Sequence, residues 1–395
     1  MRQQYPPCIL IGDVTRQFVN ICRSLRFSTH CTFLIASERA PFDTSGHVHM
    51  SWCCLDSLTD ATFPADEPVL VIFCLGGEVV IEHFDDPVNL GGYLSECVWD
   101  LKNRQPLQTA SRKNPAVPVD QSGSLGAIVA RCISTHLAGS GEAWRADVVL
   151  MLDYEGVPRF LGGMWAGIDG SRTSLNLFSP ELHSDIQSAE FGALRFVGSE
   201  NSIFSLSITD DGSGGKPDVS LLACHNSDSW TMLRAVGINI PLIIVQNFLR
   251  RKVVTHYFVS PRDVTWCRQD DFPRYGFDFD HAYFDLDETL TWLGGPLVDG
   301  ISALRKLYSA GVSLTLITRH TKPIADTLAS IGVDPTYFRK IIPVKKTQLK
   351  SSYIGKRSIF IDNEFAERHD VRKNCEIPVL DVDQLDFLPQ LSASV

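Results

Sequence analysis

The sequence predicts an α/β protein with more than one domain, and three observations support this. The chain has 395 residues, enough for two or three domains of ordinary size. Short apolar stretches alternate with segments of helical periodicity near both ends of the chain. The composition, 44% hydrophobic and 21% charged, is that of a globular protein rather than a disordered or fibrous one.

Residues 1–95 are predicted to form a small parallel sheet covered by helices. Phe18, Ile21 and Leu25 recur at helical spacing, and this helix lies between the first two strands. Strand–helix–strand order favours parallel pairing. The predicted strands are residues 8–11, 31–35 and 68–75, the first ending at Gly12-Asp13 and the third at Gly76-Gly77.

Residues 96–272 are predicted to form an α+β domain. Two hairpins are predicted, around the turns 153–156 and 209–216, and the second turn contains Asp211-Gly-Ser-Gly-Gly215. A helical run with Leu233, Val236 and Ile240 follows and continues to residue 249. Residues 268–280 break both periodicities and are predicted to be a linker.

Residues 273–395 form the third predicted domain, and its strands carry the clearest functional signal. The predicted strands are residues 282–284, 312–317 and 358–361, and the polar residues at their carboxyl ends are Asp285, Thr318 and Asp362. In an open parallel sheet, ligands bind at that edge.

Asp285 and Asp287 are two carboxylates placed two residues apart just beyond a strand. One carboxylate can attack phosphorus, and the other can protonate the leaving oxygen and then deprotonate water. Two acids so close repel each other unless a cation lies between them, so the pattern predicts Mg²⁺.

Residues 281–395 resemble the haloacid dehalogenase (HAD) superfamily of aspartate-nucleophile phosphohydrolases. Four motifs occur in the family's order, each after an apolar strand. They are Asp285-x-Asp287-x-Thr289, Leu316-Ile317-Thr318, Val344-Lys345-Lys346-Thr347 and Ile359-Phe360-Ile361-Asp362-Asn363-Glu364.

The resemblance implies a role for each matching residue. Asp285 is expected to be the nucleophile and Asp287 the general acid/base, while Thr318 and Lys346, or its neighbour Lys345, hold the phosphoryl oxygens. The expected Mg²⁺ ligands are the side chains of Asp285 and Asp362 and the backbone carbonyl of Asp287. Asn363 departs from the family pattern, in which two acids are consecutive. Its amide can still hydrogen-bond a metal-bound water, and Glu364 is an alternative.

The spacing of these motifs leaves no room for a cap domain at either usual insertion point. Thr318 follows Asp285 after one helix and one strand, and Lys346 follows Thr318 after a similar length. The resemblance therefore implies a capless Rossmann-like domain whose site is open to solvent. The expected substrate is a small phosphorylated metabolite or biosynthetic intermediate.

The middle region resembles the C-terminal half of a carbamoyl-phosphate-synthase-like ATP-grasp ligase, and residues 1–95 resemble the domain that precedes one. The resemblance rests on residues 146–156, 202–204 and the helical run at 235–249. At residues 221–225, however, Leu-Leu-Ala-Cys-His stands where such a ligase carries glutamate and asparagine for Mg²⁺-ATP. Leucine and alanine cannot ligate Mg²⁺. We therefore expect a shortened, degenerate ATP-grasp scaffold.

The net charge and the search for targeting signals limit the binding partners and the cellular compartment that we expect. The net charge of −10 argues against general binding of nucleic acid or anionic membrane. No apolar run reaches the roughly 18 residues of a membrane span, and no signal peptide is evident, so a cytoplasmic protein with reduced cysteines is expected. A homo-oligomer is left open. So are three other functions: a carboxylate–amine ligase, transfer of a phosphoryl or acyl group to a carrier, and non-catalytic binding.

Overall fold

The structure is a computed structural model, and it describes most of the chain. The described residues are 7–13, 16–25, 32–39, 50–58, 68–75, 78–84, 90–103, 119–137, 143–167, 176–188, 203–222, 225–253, 255–267, 272–292 and 294–388. The fold is mixed α/β, with parallel and antiparallel sheets. The chain divides into two compact units, one of residues 1–233 and 238–255 and the other of residues 234–237 and 256–395.

The first unit begins with a six-stranded sheet and its helices. The elements are β1 (Pro7–Gly12), α1 (Arg16–Leu25), β2 (Thr32–Ser37), β3 (Met50–Cys54), α2 (Leu55–Leu58), β4 (Val69–Leu75), β5 (Glu78–Phe84) and α3 (Leu90–Asn103). β1 pairs in parallel with β2 and β4, and β2 pairs in parallel with β3. Ile9, Val71 and Phe73 pack in one buried core with Leu94 and Cys97 of α3.

This sheet is not purely parallel, which corrects the prediction. β5 runs antiparallel to β4, with Leu75 paired to Glu78. Gly76 and Gly77, where the third predicted strand ends, lie outside the described residues. A further antiparallel strand, β11 (His225–Asn226), joins β5 from the region predicted to be the middle domain. α3 also continues past residue 95, where this region was predicted to end.

A five-stranded antiparallel sheet follows in the same unit. Its elements are α4 (Val119–Leu137), β6 (Trp144–Leu152), β7 (Pro158–Gly167), β8 (Asn176–Leu177), α5 (Pro180–Ser188), β9 (Ile203–Asp210) and β10 (Asp218–Leu222). Both predicted hairpins are confirmed, β6 with β7 and β9 with β10. In the first turn, the Asp153 carboxylate accepts the backbone N–H groups of Glu155 and Val157. This sheet has its own core, which includes Val148, Leu150 and Phe204.

The helical run after β11 is two helices rather than one. The helices are α6 (Ser227–Ala235) and α7 (Ile240–Phe248), bent by 94° at the break. Gly237 has φ +102°, a conformation that favours glycine, and a Cβ there would lie 2.8 Å from Phe258. Asn239 then caps α7 by accepting the Leu242 N–H, and Pro241 occupies its first turn. These residues end one helix and start another, which apolar periodicity alone does not reveal.

The second unit contains a five-stranded parallel sheet. Its elements are β12 (Val264–Cys267), β13 (Phe272–Tyr275), β14 (His281–Phe284), β15 (Thr291–Trp292), β16 (Gly295–Pro296), α8 (Val298–Ser309), β17 (Ser313–Thr318), α9 (Ile324–Ser330), β18 (Lys340–Pro343), β19 (Ser358–Ile361), α10 (Phe365–Cys375) and β20 (Val379–Leu380). Four 3₁₀ helices, Pro261–Asp263, Pro335–Tyr337, Lys350–Tyr353 and Val382–Phe387, complete the list. The order β18-β17-β14-β19-β20 places β14 at the centre.

The predicted linker is partly a hairpin. Residues 272–275 form β13, which pairs antiparallel with β12, while residues 268–271 lie outside the described residues. Tyr275 is buried, and its hydroxyl donates to the Ala235 carbonyl at 2.8 Å. The hairpin therefore belongs to the packed second unit. The second unit itself starts at residue 256 rather than 273 and includes residues 234–237.

Among the described residues, no single helix is long and apolar enough to cross a membrane. α6 and α7 together reach the required length and composition, but only as the bent pair just described.

Candidate active site

The carboxyl ends of three neighbouring strands carry the predicted site. β14 pairs in parallel with β17 on one side and with β19 on the other. Asp285 follows β14, Thr318 ends β17 and Asp362 follows β19, and all three are buried. The Asp285 N–H still donates to the Ile361 carbonyl at 3.0 Å, so the first residue beyond the strand remains in the ladder. The predicted placement of these residues at one sheet edge is confirmed.

Lys350 joins the two carboxylates. Its Nζ lies 2.7 Å from Asp285 Oδ1 and 2.7 Å from Asp362 Oδ2, and its side chain is only 3% exposed. Lys350 begins the 3₁₀ helix Lys350–Tyr353. One buried cation therefore faces two buried anions.

The pKa values at this cluster reflect excess negative charge. Burial, reinforced by the negative charge of Asp362, raises the pKa of Asp285 to about 7 even though Lys350 opposes the shift. Burial likewise raises the pKa of Asp362. Burial alone would lower the pKa of Lys350, but the two carboxylates outweigh it and raise that pKa. Because one lysine does not balance two buried carboxylates, the site favours binding of a further cation.

The resemblance gives Lys346 or Lys345 the role of neutralising the phosphoryl charge, and the structure places a third lysine, Lys350, at the two carboxylates. Both lysines are exposed, whereas Lys350 is buried between the carboxylates. The sequence holds three lysines within six residues after β18. Nothing in this irregular stretch signals that the third one turns inward, so only the folded chain distinguishes it.

Arg319 holds the segment that carries Lys350. Its guanidinium donates to the backbone carbonyls of Lys345 and Gln348, the latter at 2.7 Å. It also pairs with Glu367 of α10, with Nε 2.6 Å from Oε1. The residue directly after Thr318 therefore links the end of β17 to the loop before Lys350. The position of Arg319 just after a strand end makes it a candidate for substrate contact from the sequence, but its bonds to these carbonyls are visible only in the folded chain.

Asp287 differs from the other two acids because its side chain is 52% exposed. Its carboxylate contacts His320, with Nδ1 2.8 Å from Oδ1 and 3.1 Å from Oδ2. The His320 backbone N–H donates to Thr318 Oγ1 at 3.1 Å. Since Thr318 accepts this bond, its hydroxyl proton remains available for donation to a ligand.

Asn363 and Glu364 do not face the carboxylate cluster as second acids would. Asn363 Nδ2 donates to Glu288 Oε2 at 3.0 Å, and the Asn363 N–H donates to Thr289 Oγ1 at 3.3 Å. Glu288 has φ +55°, in the left-handed region. The Glu364 N–H donates to Asp362 Oδ1 at 2.8 Å. Asn363 therefore ties the loop after β14 to the end of β19.

Within the part of the chain that the structure describes, no group of three or more His, Cys, Asp or Glu side chains is placed to hold a metal ion. Asp285 and Asp362 provide two buried carboxylates, and the third predicted ligand, the Asp287 carbonyl, belongs to the backbone. Oxygen donors with excess negative charge suit Mg²⁺, which commonly binds through one or two carboxylates and keeps several waters. The residues present therefore fit the predicted ion.

The two usual positions for a cap domain hold only short elements. Between β14 and α8 the described residues form the two-residue strands β15 and β16, and between β17 and β18 they form α9 and one 3₁₀ helix. The expectation of a capless domain stays a prediction.

Comparisons with family models and with curated proteins find no significant match for this chain. Among solved structures, the apo-form glycosyltransferase GlyE of Streptococcus pneumoniae TIGR4 aligns over 96% of this chain and 91% of its own. The identity is 8% and the TM-score is 0.20, a similarity too low to carry an argument about fold or activity.

Proposed function

We propose that the second unit is a Mg²⁺-dependent phosphohydrolase of the HAD type, without a cap, acting on a small phosphorylated metabolite or biosynthetic intermediate. The observation that carries this proposal is the pairing of Asp285 and Asp362 through Lys350, at the ends of two adjacent parallel strands. A buried aspartate nucleophile, a second acid and a fixed cation are what transfer of a phosphoryl group to a carboxylate requires.

The reaction proceeds in two displacements. The Asp285 carboxylate attacks phosphorus, a P–O bond forms to its oxygen, and the bond to the leaving oxygen breaks. Asp287 donates a proton to that leaving oxygen. Asp287 then removes a proton from water, whose oxygen attacks the aspartyl-phosphate, and cleavage of its P–O bond releases phosphate and regenerates the Asp285 carboxylate.

Two residues hold the phosphoryl oxygens during both steps. The Lys350 ammonium neutralises their charge, and the Thr318 hydroxyl donates a hydrogen bond. When bound by Asp285, Asp362 and the Asp287 carbonyl, Mg²⁺ supplies further neutralisation of the charge that develops on the phosphoryl group. Arg319 keeps the Lys350 segment in place through the carbonyls that it binds.

For the first unit, we propose a degenerate ATP-grasp scaffold preceded by a small α/β region. The antiparallel sheet of β6, β7, β9 and β10 supports this, together with the absence of glutamate and asparagine at residues 221–225. Residues 223–224 lie outside the described residues.

The test is phosphate release by the full chain from a panel of phosphorylated metabolites, with Mg²⁺ and with a chelator. Asp285→Asn keeps the shape of the side chain but removes the nucleophile, so phosphate release should fall to background. Asp13→Asn is the matched control, because Asp13 follows β1 as Asp285 follows β14. A wild-type chain that binds phosphorylated ligands and turns none of them over would instead identify a binding protein.

A further inference from the structure

His320 is the residue that fixes the orientation of Asp287. A carboxylate that is half exposed can rotate among several orientations, and proton transfer is slower when many of these orientations are unproductive. The two short contacts from His320 Nδ1 reach both Asp287 oxygens. Such a contact restricts the carboxylate in a way that solvent does not.

The imidazole ring is itself held from its other side. Its side chain is only 10% exposed, and Nε2 lies 2.8 Å from Thr327 Oγ1 on α9. The Thr327 hydroxyl and backbone N–H both donate to the Pro323 carbonyl, at 3.3 and 3.2 Å. The ring is therefore anchored to the start of α9 and cannot turn without breaking contacts at both nitrogens.

We propose that His320 is a positioning residue for the general acid/base Asp287, anchored in turn by Thr327. This inference rests on the proposed function and names one further residue that it requires. His320 itself contacts Asp287 and Thr327, so it acts through Asp287. Its loss should impair the proton donation by Asp287 and leave the attack by Asp285 intact.

Leaving-group dependence distinguishes this role from a merely structural one. p-Nitrophenyl phosphate releases a stable phenolate and needs little help from an acid, whereas ethyl phosphate must be protonated as it leaves. We expect His320→Phe to lower kcat/KM for ethyl phosphate, which reports only the steps up to release of the leaving group, by roughly 10- to 100-fold, and kcat/KM for p-nitrophenyl phosphate by less than about 3-fold.

Three further variants sharpen the test. His320→Asn keeps a group near the Nδ1 position that can hydrogen-bond the Asp287 carboxyl, and it should recover most of the ethyl phosphate rate. In an Asp287→Asn background, His320→Phe should cost nothing more, because the group that it positions is already gone. His281→Phe is the matched control, because His281 also contacts a threonine hydroxyl, at 2.8 Å, but lies at the amino end of β14. It should leave the ratio of the two rates unchanged.

The outcomes separate the inference from the function on which it rests. Equal losses of kcat/KM on both substrates, or a full loss that persists in the Asp287→Asn background, would overturn the positioning role while the phosphohydrolase stands. A wild-type chain that releases phosphate from neither substrate in the presence of Mg²⁺ would overturn both. Circular dichroism measures the folded fraction of His320→Phe, so that a loss of folding is not mistaken for a loss of catalysis. If His320→Phe fails to fold, His320→Asn supplies the result.

Discussion

Two sheets of the chain are built around a central parallel strand, and in the part that the structure describes the residues at their carboxyl ends bond differently. In the first sheet β1 lies between β2 and β4, and in the second β14 lies between β17 and β19. At the carboxyl ends of the first sheet, Ser37 donates to the nearby Arg39 carbonyl and Cys54 contacts Ser57. At the second, Asp285 and Asp362 from different strands share one lysine.

The difference shows that a parallel sheet edge is a place where a site can form, but not itself a site. At the first edge, Ser37 and Cys54 bond to residues two and three positions away, and Ser37 also accepts the Trp52 indole N–H at 3.1 Å, so these are bonds between uncharged groups. At the second edge, like charges are buried together against their mutual repulsion. That arrangement costs stability, so its presence is a stronger indication of chemistry than strand order.

The largest effect should come from Lys350→Met, which leaves two buried carboxylates facing each other. We expect the free energy of unfolding to fall by about 3–5 kcal/mol, as when one partner of a buried ion pair is removed. Phosphate release should fall by roughly 10²–10³-fold, as when an electrostatic donor is lost. Urea denaturation and steady-state kinetics measure the two quantities.

Lys346→Met is the control for that variant, because Lys346 is a lysine of the same segment that is exposed. It should change neither quantity much. If Lys346→Met instead proved the more damaging substitution, the original assignment from motif spacing would hold and the role of Lys350 would be refuted.

The next effect concerns Mg²⁺. Because the ion would bind only the folded protein, saturation at 100 times the dissociation constant should add about 2.7 kcal/mol to stability. Asp362→Asn should remove most of this gain, while Asp13→Asn at the other sheet edge should retain it. Thermal unfolding with and without Mg²⁺ measures the difference, and an equal gain in all three proteins would place the ion elsewhere.

A pH effect follows from the raised pKa of Asp285. In the folded, metal-free protein this carboxyl titrates at about 7, above its ordinary value near 4, so the folded state binds the proton more tightly than the unfolded state. Its contribution to stability is therefore present at low pH and is lost as pH rises from about 4 to about 7. Asp285→Asn should flatten this decline in a series of urea titrations. An unchanged slope would contradict the shift.

The smallest effect should come from Asn363→Asp, which restores the second acid of the HAD pattern. The new carboxylate would face Glu288 where the amide now donates to it. We expect a loss of about 0.5 kcal/mol, typical of an exposed charge pair, and little change in activity. Adding Glu288→Gln should restore the stability, and a large gain in activity would show that Asn363 had been limiting the site.

Much of the second unit was predictable from the sequence, because its strands are short apolar runs that end in polar residues. Asp285, Thr318 and Asp362 follow that rule and lie where it places them. Lys350 and His320 do not. Lys350 is one of three lysines in an irregular segment, and His320 follows a strand without a pattern that signals a contact with Asp287.

The first unit shows a different limit of prediction from the sequence. Periodicity identified β1, β4 and the two hairpins of the antiparallel sheet, because each alternates or buries a continuous apolar run. It missed the antiparallel return of β5 and the break before α7. Apolar periodicity does not carry strand direction, and the break depends on the local backbone at Gly237 and Asn239 rather than on which face is apolar.

The long-range contacts of Arg234 limit how the second unit can fold during synthesis. Its guanidinium donates to the Asp383 carbonyl at 2.7 Å, and Gln384 donates to the Arg234 carbonyl, so groups 149 and 150 residues apart close on one another. A ribosome would therefore release residue 234 long before its partners exist. The second unit can complete these contacts only after residue 386 has emerged, and a nascent chain stopped before residue 383 would lack these acceptors of the Arg234 guanidinium.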